Sequence, residues 1–269
     1  MPSAALLEDR AIIAVSGADA RDFLQGLITN DVHALAPGRA LYSGLLTPQG
    51  KILFDFLLVE GEGALLIDCA RVAHEALIKR LKMYRLRAKV QIEPREQLAV
   101  LVGLLGRPAL RGLTFDDPRN PALGPRSIGA RAEMPRDVGT AAHYRSHRLE
   151  LGIPEGADFG SDRMFALDGD LDELHGISFE KGCYVGQELT ARMKHRGTAR
   201  KRLVPITGIA LPASGTLKAG GRDIGEIASV YGERGFASVR LDRLDETGTC
   251  TIEVDGNLVN IIKPSWLFP

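Results

Sequence analysis

The sequence predicts an α+β region followed by a small C-terminal β-barrel. Three observations carry that prediction. Up to about Arg202, short apolar runs with strand character alternate with segments of helical spacing. After Arg202 the texture changes to four short runs rich in β-branched residues and bounded by glycine turns. The composition is that of an ordinary globular chain: of 269 residues, 45% are hydrophobic and 25% charged. That length suits one large domain or two smaller ones. The texture break places a boundary at Arg202, giving 1–202 and 203–269, with a further division of the first part near residue 105.

Each element follows from its pattern. Residues 11–15 are short and apolar, a strand. Residues 17–29 carry Phe23, Leu24, Leu27 and Ile28 at helical spacing, with Asp19 placed to cap. Residues 40–46 and 52–59 are strands joined by T-P-Q-G, whose Pro and Gly fit a hairpin turn. Residues 65–68 form another strand, and 73–83 an amphipathic helix with Ala73, Ala76, Leu77 and Leu81 on one face. Residues 89–92 and 98–104 return to strand. This mixed order implies a sheet with helices on one face. Residues 106–136, rich in Pro, Gly, Arg and Asp, read as short strands and loops. Residues 143–151 and 185–193 are helices on either side of a Gly/Pro-punctuated loop. In the barrel, 203–209, 224–230, 235–240 and 249–254 are strands.

Several function classes are excluded or disfavoured. No apolar run is long enough to span a bilayer, since charges interrupt each hydrophobic segment. The first ten residues place Glu8 and Asp9 where a secretory signal needs its apolar core, which leads to an expected cytoplasmic location. A net charge of +0 argues against a nucleic-acid coat. Cys69, Cys183 and Cys250 are far apart, so neither a disulfide framework nor a self-contained iron–sulfur cage is expected. His143 and His147 stand four apart without a third ligand, and no metal site is expected.

The segment E-K-G-C-Y-V-G-Q-E, residues 180–188, carries the chemistry. Cys183 lies just ahead of the helix expected over 185–193, with Lys181 two residues before it. A helix N-terminus and a neighbouring cation both favour a thiolate. Gly182 and Gly186 let backbone amides approach closely or adopt positive φ. The alternative is a buried cysteine in a tight loop. Glu188 and Arg192, at i and i+4, read as a surface ion pair rather than as catalysts. Gln187 either bonds a ligand or caps the helix. Asp55, in K-I-L-F-D-F, shares a strand face with Leu53 and Leu57. Turned inward it would have a raised pKa suited to proton transfer; at a strand edge it would face water. The basic run 192–202 reads as a solvated face beside a domain junction, and direct RNA contact is not expected.

K-G-C-Y-V-G-Q-E is similar to the signature of the YgfZ family of folate-binding proteins, whose mitochondrial relatives are iron–sulfur assembly factors of the Iba57/Caf17 type. D-F-L-Q-G-L-I-T-N-D-V (22–32), T-P-Q-G-K-I-L-F-D-F (47–56) and Y-R-S-H-R-L-E-L-G-I-P (144–154) resemble further family segments. The likeness covers nearly the whole chain and is weakest over 106–136. It implies the fold of the glycine cleavage aminomethyltransferase: a folate-binding region with tetrahydrofolate in a central channel, then the barrel. By that resemblance Glu150 and Arg148 contact folate and Asp55 stands near the folate nitrogens. Lys181, Gly182, Cys183, Tyr184, Gly186, Gln187 and Glu188 are the motif residues, with Cys183 the functional thiol. The implied role is accessory to iron–sulfur assembly or repair, including clients that modify tRNA, with assembly proteins or client enzymes as partners. The alternative is a folate-dependent one-carbon transferase or demethylase, with Asp55 and Cys183 in its catalytic site. The aminomethyltransferases lack the cysteine motif, so an accessory role is expected over turnover.

Overall fold

The computed structural model of the chain describes residues 2–61, 63–107, 112–197, 200–246 and 250–268. The chain opens with β1 (Ala4–Leu6), β2 (Arg10–Ser16), α1 (Ala20–Gln25), β3 (Ala40–Leu46), β4 (Ile52–Gly61), β5 (Ala64–Ala70), α2 (His74–Arg85) and β6 (Gln91–Pro94). It continues through β7 (Leu98–Gly103), β8 (Leu113–Asp116), β9 (Pro125–Ala130), β10 (Gly139–Thr140), α3 (Ala141–Glu150) and α4 (Gln187–His195). The last part holds β11 (Lys201–Thr207), β12 (Thr216–Ala219), β13 (Arg222–Tyr231), β14 (Arg234–Arg240), α5 (Leu241–Glu246), β15 (Ile252–Val254), β16 (Asn257–Leu258) and β17 (Asn260–Ile261).

These strands form three sheets. One has the order β3-β4-β5-β2-β6 and is antiparallel throughout. Its strands read as near-continuous apolar runs because both faces are covered. Ile13, Val15, Phe56, Leu58, Leu65 and Ile67 point to one side, where Leu24 of α1 and Leu77 and Leu81 of α2 meet them. Both helices thus share one face, as expected. Ile12, Ala14, Leu57, Val59 and Leu66 point to the other side, against a second sheet of order β10-β1-β7-β9-β8. That second sheet was not legible as such: β1 and β10 are three and two residues long and pair in parallel across more than a hundred residues.

The third sheet, β16-β15-β12-β13-β14-β11-β17, is the barrel. Its outermost strands, β16 and β17, are separated only by Val259, so the sheet curls until its ends are neighbours. Register shifts at Leu217/Lys218 and Ile227/Ser229 bend the strands, as bulges do at barrel corners. The strand expected over 249–254 begins outside the described residues; its described part forms β15.

Two helices differ from expectation. α1 is shorter than residues 17–29 because the chain turns at Gly26, and Asp19 makes no side-chain cap. Its carboxylate instead accepts from the Lys89 backbone N–H at 2.7 Å, tying α1 to the segment that leads into β6. α4 starts two residues later than expected, because Gly186 holds φ +84° and ends the turn before it.

Candidate functional site

Three motifs far apart in sequence converge on the loop that presents Cys183. The turn after α1 forms a cradle. Thr29 Oγ1 donates to the Gly176 carbonyl at 2.6 Å, and the Ser178 N–H donates to the Thr29 carbonyl at 3.0 Å. Asn30 Nδ2 donates to the carbonyls of Tyr42 and His175, both at 2.8 Å. Lys181 then enters the cradle. Its ammonium donates to the carbonyls of Gln25 and Ile28 at 2.7 Å and of Asn30 at 2.8 Å, capping the end of α1. Burial pulls this ammonium down to about 8, with Asp31 opposing the shift. It also lies 5.1 Å from the centre of the Tyr184 ring.

The β3–β4 turn closes the other side. Gly50 and Gly186 both have positive φ, and their backbones are in contact. A Cβ on Gly186 would come within 2.6 Å of the Thr47 carbonyl oxygen and 2.9 Å of Leu46 Cβ, so only glycine fits there. Thr190 Oγ1 donates back to the Gly186 carbonyl at 3.0 Å, and Gln187 Nε2 to the Gly182 carbonyl at 3.5 Å. Cys183 itself is exposed at the crest of this assembly. It is therefore not the buried loop cysteine of the alternative reading. The two activating features expected for it are placed otherwise: Lys181 is committed to carbonyls, and α4 begins four residues beyond Cys183. Cys69 is buried, which pushes its thiol up to about 12, and Cys250 is exposed on the barrel.

Strand alternation builds a second constellation between the two N-terminal sheets. Arg10, Asp55 and Asp68 share strand parity with Ile12, Leu57 and Leu66, so all three point to the buried side facing the second sheet. Arg126 comes from β9 opposite them. It bridges Asp68 at 2.9 Å and Asp117 at 3.0 Å while donating to the Tyr144 hydroxyl at 2.6 Å. Arg10 bonds the other oxygen of Asp68 at 2.7 Å. Arg119 pairs with Asp117 and with Glu155, both at 2.8 Å, and lies over the Tyr42 ring. Arg148 pairs with Asp158 at 2.7 Å. Asp55 accepts from the Tyr42 hydroxyl at 3.2 Å and from the Gly156 N–H at 3.0 Å. At 6% exposure it is inward, not a water-facing edge residue. Burial raises its carboxyl, with Arg10 only partly offsetting that and Glu155 adding to it. For Glu155 burial also acts upward, but Arg148, Arg119 and Arg10 outweigh it and hold the carboxyl below the usual range.

Glu150 is exposed at the end of α3 and takes no part in the buried network; the glutamate of this segment that joins it is the half-buried Glu155. Glu188 and Arg192 form no ion pair among those of the described residues. His143 caps α3 with Thr140, and His147 bonds the Ala122 carbonyl at 2.7 Å. The basic run 192–202 is exposed up to Gly197, and its residues 198–199 lie outside the described residues. Its last member, Arg202, is buried on Asp172 at 2.8 Å and Glu173 at 3.1 Å. Arg10, Asp68, Asp117, Arg119, Arg126 and Glu155 were missed. Arg10 and Asp68 carried a legible signal, a lone charge in phase with one face of an apolar strand.

Whether a folate fits is a question of donors and acceptors. Each oxygen of Asp55 accepts one hydrogen bond, so each keeps a lone pair for the paired N–H groups of a pterin. Arg148 Nε is buried without a hydrogen-bond partner. The set fits the group in kind. The Glu155 side chain is 17% exposed, against 0–3% for its arginine partners, so the network meets solvent there.

Comparisons with known proteins agree with this architecture. The CAF17 C-terminal beta-barrel domain matches residues 200–269, and the GCVT N-terminal domain matches residues 9–114. The iron-sulfur cluster assembly factor IBA57, mitochondrial, of Mus musculus is 35% identical, over 88% of this chain and 77% of its own length. The Homo sapiens protein of the same name is 34% identical, over 86% of this chain and 75% of its own. The crystal structure of glycine cleavage system aminomethyltransferase T from Bartonella henselae superposes with a TM-score of 0.75 at 19% identity, covering 98% of this chain and 86% of that one, which establishes the shared fold. Eight relatives that carry the IBA57 name are mitochondrial proteins, which overturns the cytoplasmic expectation. A missing apolar core speaks only against secretion, whereas a mitochondrial address is amphipathic and arginine-rich. With more than a third of its residues identical to a relative it spans over most of that relative's length, the chain belongs to the IBA57/Caf17 family.

Proposed function

We propose that this protein is an accessory factor of iron–sulfur cluster assembly in which Cys183 supplies a thiol to a cluster completed by a partner's ligands. One observation carries the reading: an exposed cysteine held at the crest of a loop that three separate motifs fix in place. A single thiolate is one ligand of the four that a cluster commonly takes, so the remainder come from the partner, and the cluster is cargo rather than a resident group. Kinship with proteins named as assembly factors supports the same role. The test is complementation in cells lacking the gene, read as the activity of a cluster-dependent dehydratase. Wild-type protein restores activity. Cys183→Ser accumulates as soluble protein and does not. Full restoration by Cys183→Ser ends the proposal.

A second reading concerns the buried constellation, favoured by the inward, raised carboxyl of Asp55 and by Arg148 Nε, buried without a hydrogen bond and 3.5 Å from Glu155. Tetrahydrofolate or a derivative would be held by Asp55 and Glu155, with Arg148 and Arg119 beside them. When bound it would supply a one-carbon carrier. Asp55 would accept from the paired N–H groups of the pterin, and Tyr42 would orient its carboxylate through the hydroxyl. Anaerobic calorimetric titration with tetrahydrofolate checks this: saturable binding, weakened by Asp55→Leu, is expected. An absence of heat with either protein removes folate from the account and leaves the thiol reading standing. Formation of methylene-tetrahydrofolate from an amine donor would mark the chain as a transferase.

A further inference from the structure

Helix α2 and the turn after it carry six cations in the eleven residues from Lys79 to Lys89 and no acid, in a chain whose net charge is +0. None of the six enters an ion pair among those of the described residues, although the buried arginines of the same protein are paired, several of them twice. Five of the six are exposed and Arg80 is half-buried. The same surface displays large apolar side chains. Val72 is 96% exposed, Met83 62% and Leu86 87%. Leu86 is held at φ +43°, a conformation that costs a branched residue energy and turns it outward past the helix end. Unpaired cations and exposed apolar groups are each unremarkable alone; together on one short element they mark an interaction surface.

The shape of the surface narrows the occupant. A shallow groove of about 620 Å³ runs between α2 and the edge strand β6, lined by Ile78, Lys79, Lys82 and Met83 and also by Glu75 and Glu96. The same two glutamates line a second groove of about 510 Å³, which holds Val72, Arg71, Arg95 and Arg131. Added strands need an open ladder, but β6 is four residues long and ends in Pro94, which has no N–H to offer. An amphipathic helix laid with its apolar side chains in the groove and its carboxylates over the cations satisfies both features.

The geometry points to a docking site on α2 and β6 for an acidic amphipathic helix of a partner protein. It does not depend on Cys183 or on folate. The test uses the full chain and a synthetic helical peptide of repeating Glu-Glu-Leu-Leu blocks, followed by amide chemical shifts. Expected are saturable binding with shifts confined to α2 and β6, and affinity that falls with salt. Lys79→Glu/Lys82→Glu/Arg85→Glu should weaken it by about tenfold or more. Met83→Ser/Leu86→Ser should weaken it by a comparable, roughly tenfold factor at unchanged charge, which distinguishes a groove from plain counter-ion attraction. The same peptide with Gln for Glu should not bind. The proposal fails if the serine variant binds as wild type. It fails equally if phosphatidylserine vesicles or an unstructured RNA, and not the peptide, shift the α2 amides.

Discussion

The ammonium of Lys181 sits among three carbonyls, one at the end of α1 and two in the turn after it, and that single residue couples two motifs separated by about 150 positions. Replacing it with Met keeps the volume and strands the carbonyls, at a cost of about 1–3 kcal/mol in urea unfolding. Cys183→Ala, by contrast, removes an exposed side chain and should stay within about 0.5 kcal/mol of wild type. If Lys181→Met leaves both stability and the rate of Cys183 alkylation unchanged, the cradle does not position the thiol. The buried acids set the response to pH. Glu155 and Asp117 are held below their ordinary values of 4.5 and 3.8 by arginines that outweigh their burial. Groups lowered on folding stabilise the native state above their unfolded values, and that contribution is lost as pH falls through and below them. Asp55 is raised and works oppositely, its contribution being present at low pH and lost as pH rises through its folded value. The lowered pair should therefore make stability decline from about pH 5 downward, while the raised Asp55, Asp168 and Asp170 oppose that decline. Glu155→Gln should be less stable at neutral pH and show a shallower acid decline, which thermal unfolding across pH would record.

At the scale of the element, α2 shows how a sequence pattern can be read correctly and still hide its purpose. Leu77 and Leu81 repeat at four-residue spacing and are buried on the sheet as the pattern requires. Nothing in that spacing says that the outer face is unpaired, because pairing depends on which acids the tertiary fold brings near. Leu86→Gly relieves a positive φ at an exposed site and should stabilise the chain by about 1 kcal/mol, measured as a shift in the urea midpoint. Loss of stability in that variant would mean that Leu86 packs in solution. The strands were legible for the same local reason as the core of α2. β3 has the expected bounds, while β2, β4 and β5 extend one or two residues at an end beyond the apolar runs that announced them, since ladder bonds outlast side-chain burial. Asp55 was legible from its parity with Leu57, and the same argument applied to Arg10 and Asp68 would have found the buried network. The loop of residues 161–186 was not legible. Its shape is fixed by Thr29, Asn30, Gly50 and Lys181, contacts made across long separations and without a local period.

Over the whole molecule, the boundary expected at Arg202 raises the question of whether the barrel stands apart, and we propose that it does not. Leu203 of β11 and Phe236 of β14 belong to the same apolar core as Leu57, Val100 and Ile153 of the preceding sheets. Arg202, the residue at the junction, donates to the Leu167 carbonyl and pairs with Asp172 and Glu173, and lies 3.7 Å from the buried Asp170. Trp266 reaches back from beyond the barrel to donate to the Leu151 carbonyl at 3.1 Å. It is the chain's single tryptophan, so its fluorescence reports this contact alone. Urea unfolding followed by that fluorescence and by far-UV circular dichroism should give superimposable transitions, the mark of one cooperative unit. Arg202→Ala leaves the buried Asp170 without its cation and Asp172 with Lys194 alone, and should lower both transitions together by about 3 kcal/mol. A fluorescence midpoint well below the dichroism midpoint, in either protein, would show that the barrel separates first. The shared core would then be a docking surface between two independently stable domains, and a fragment ending at Arg202 should fold alone.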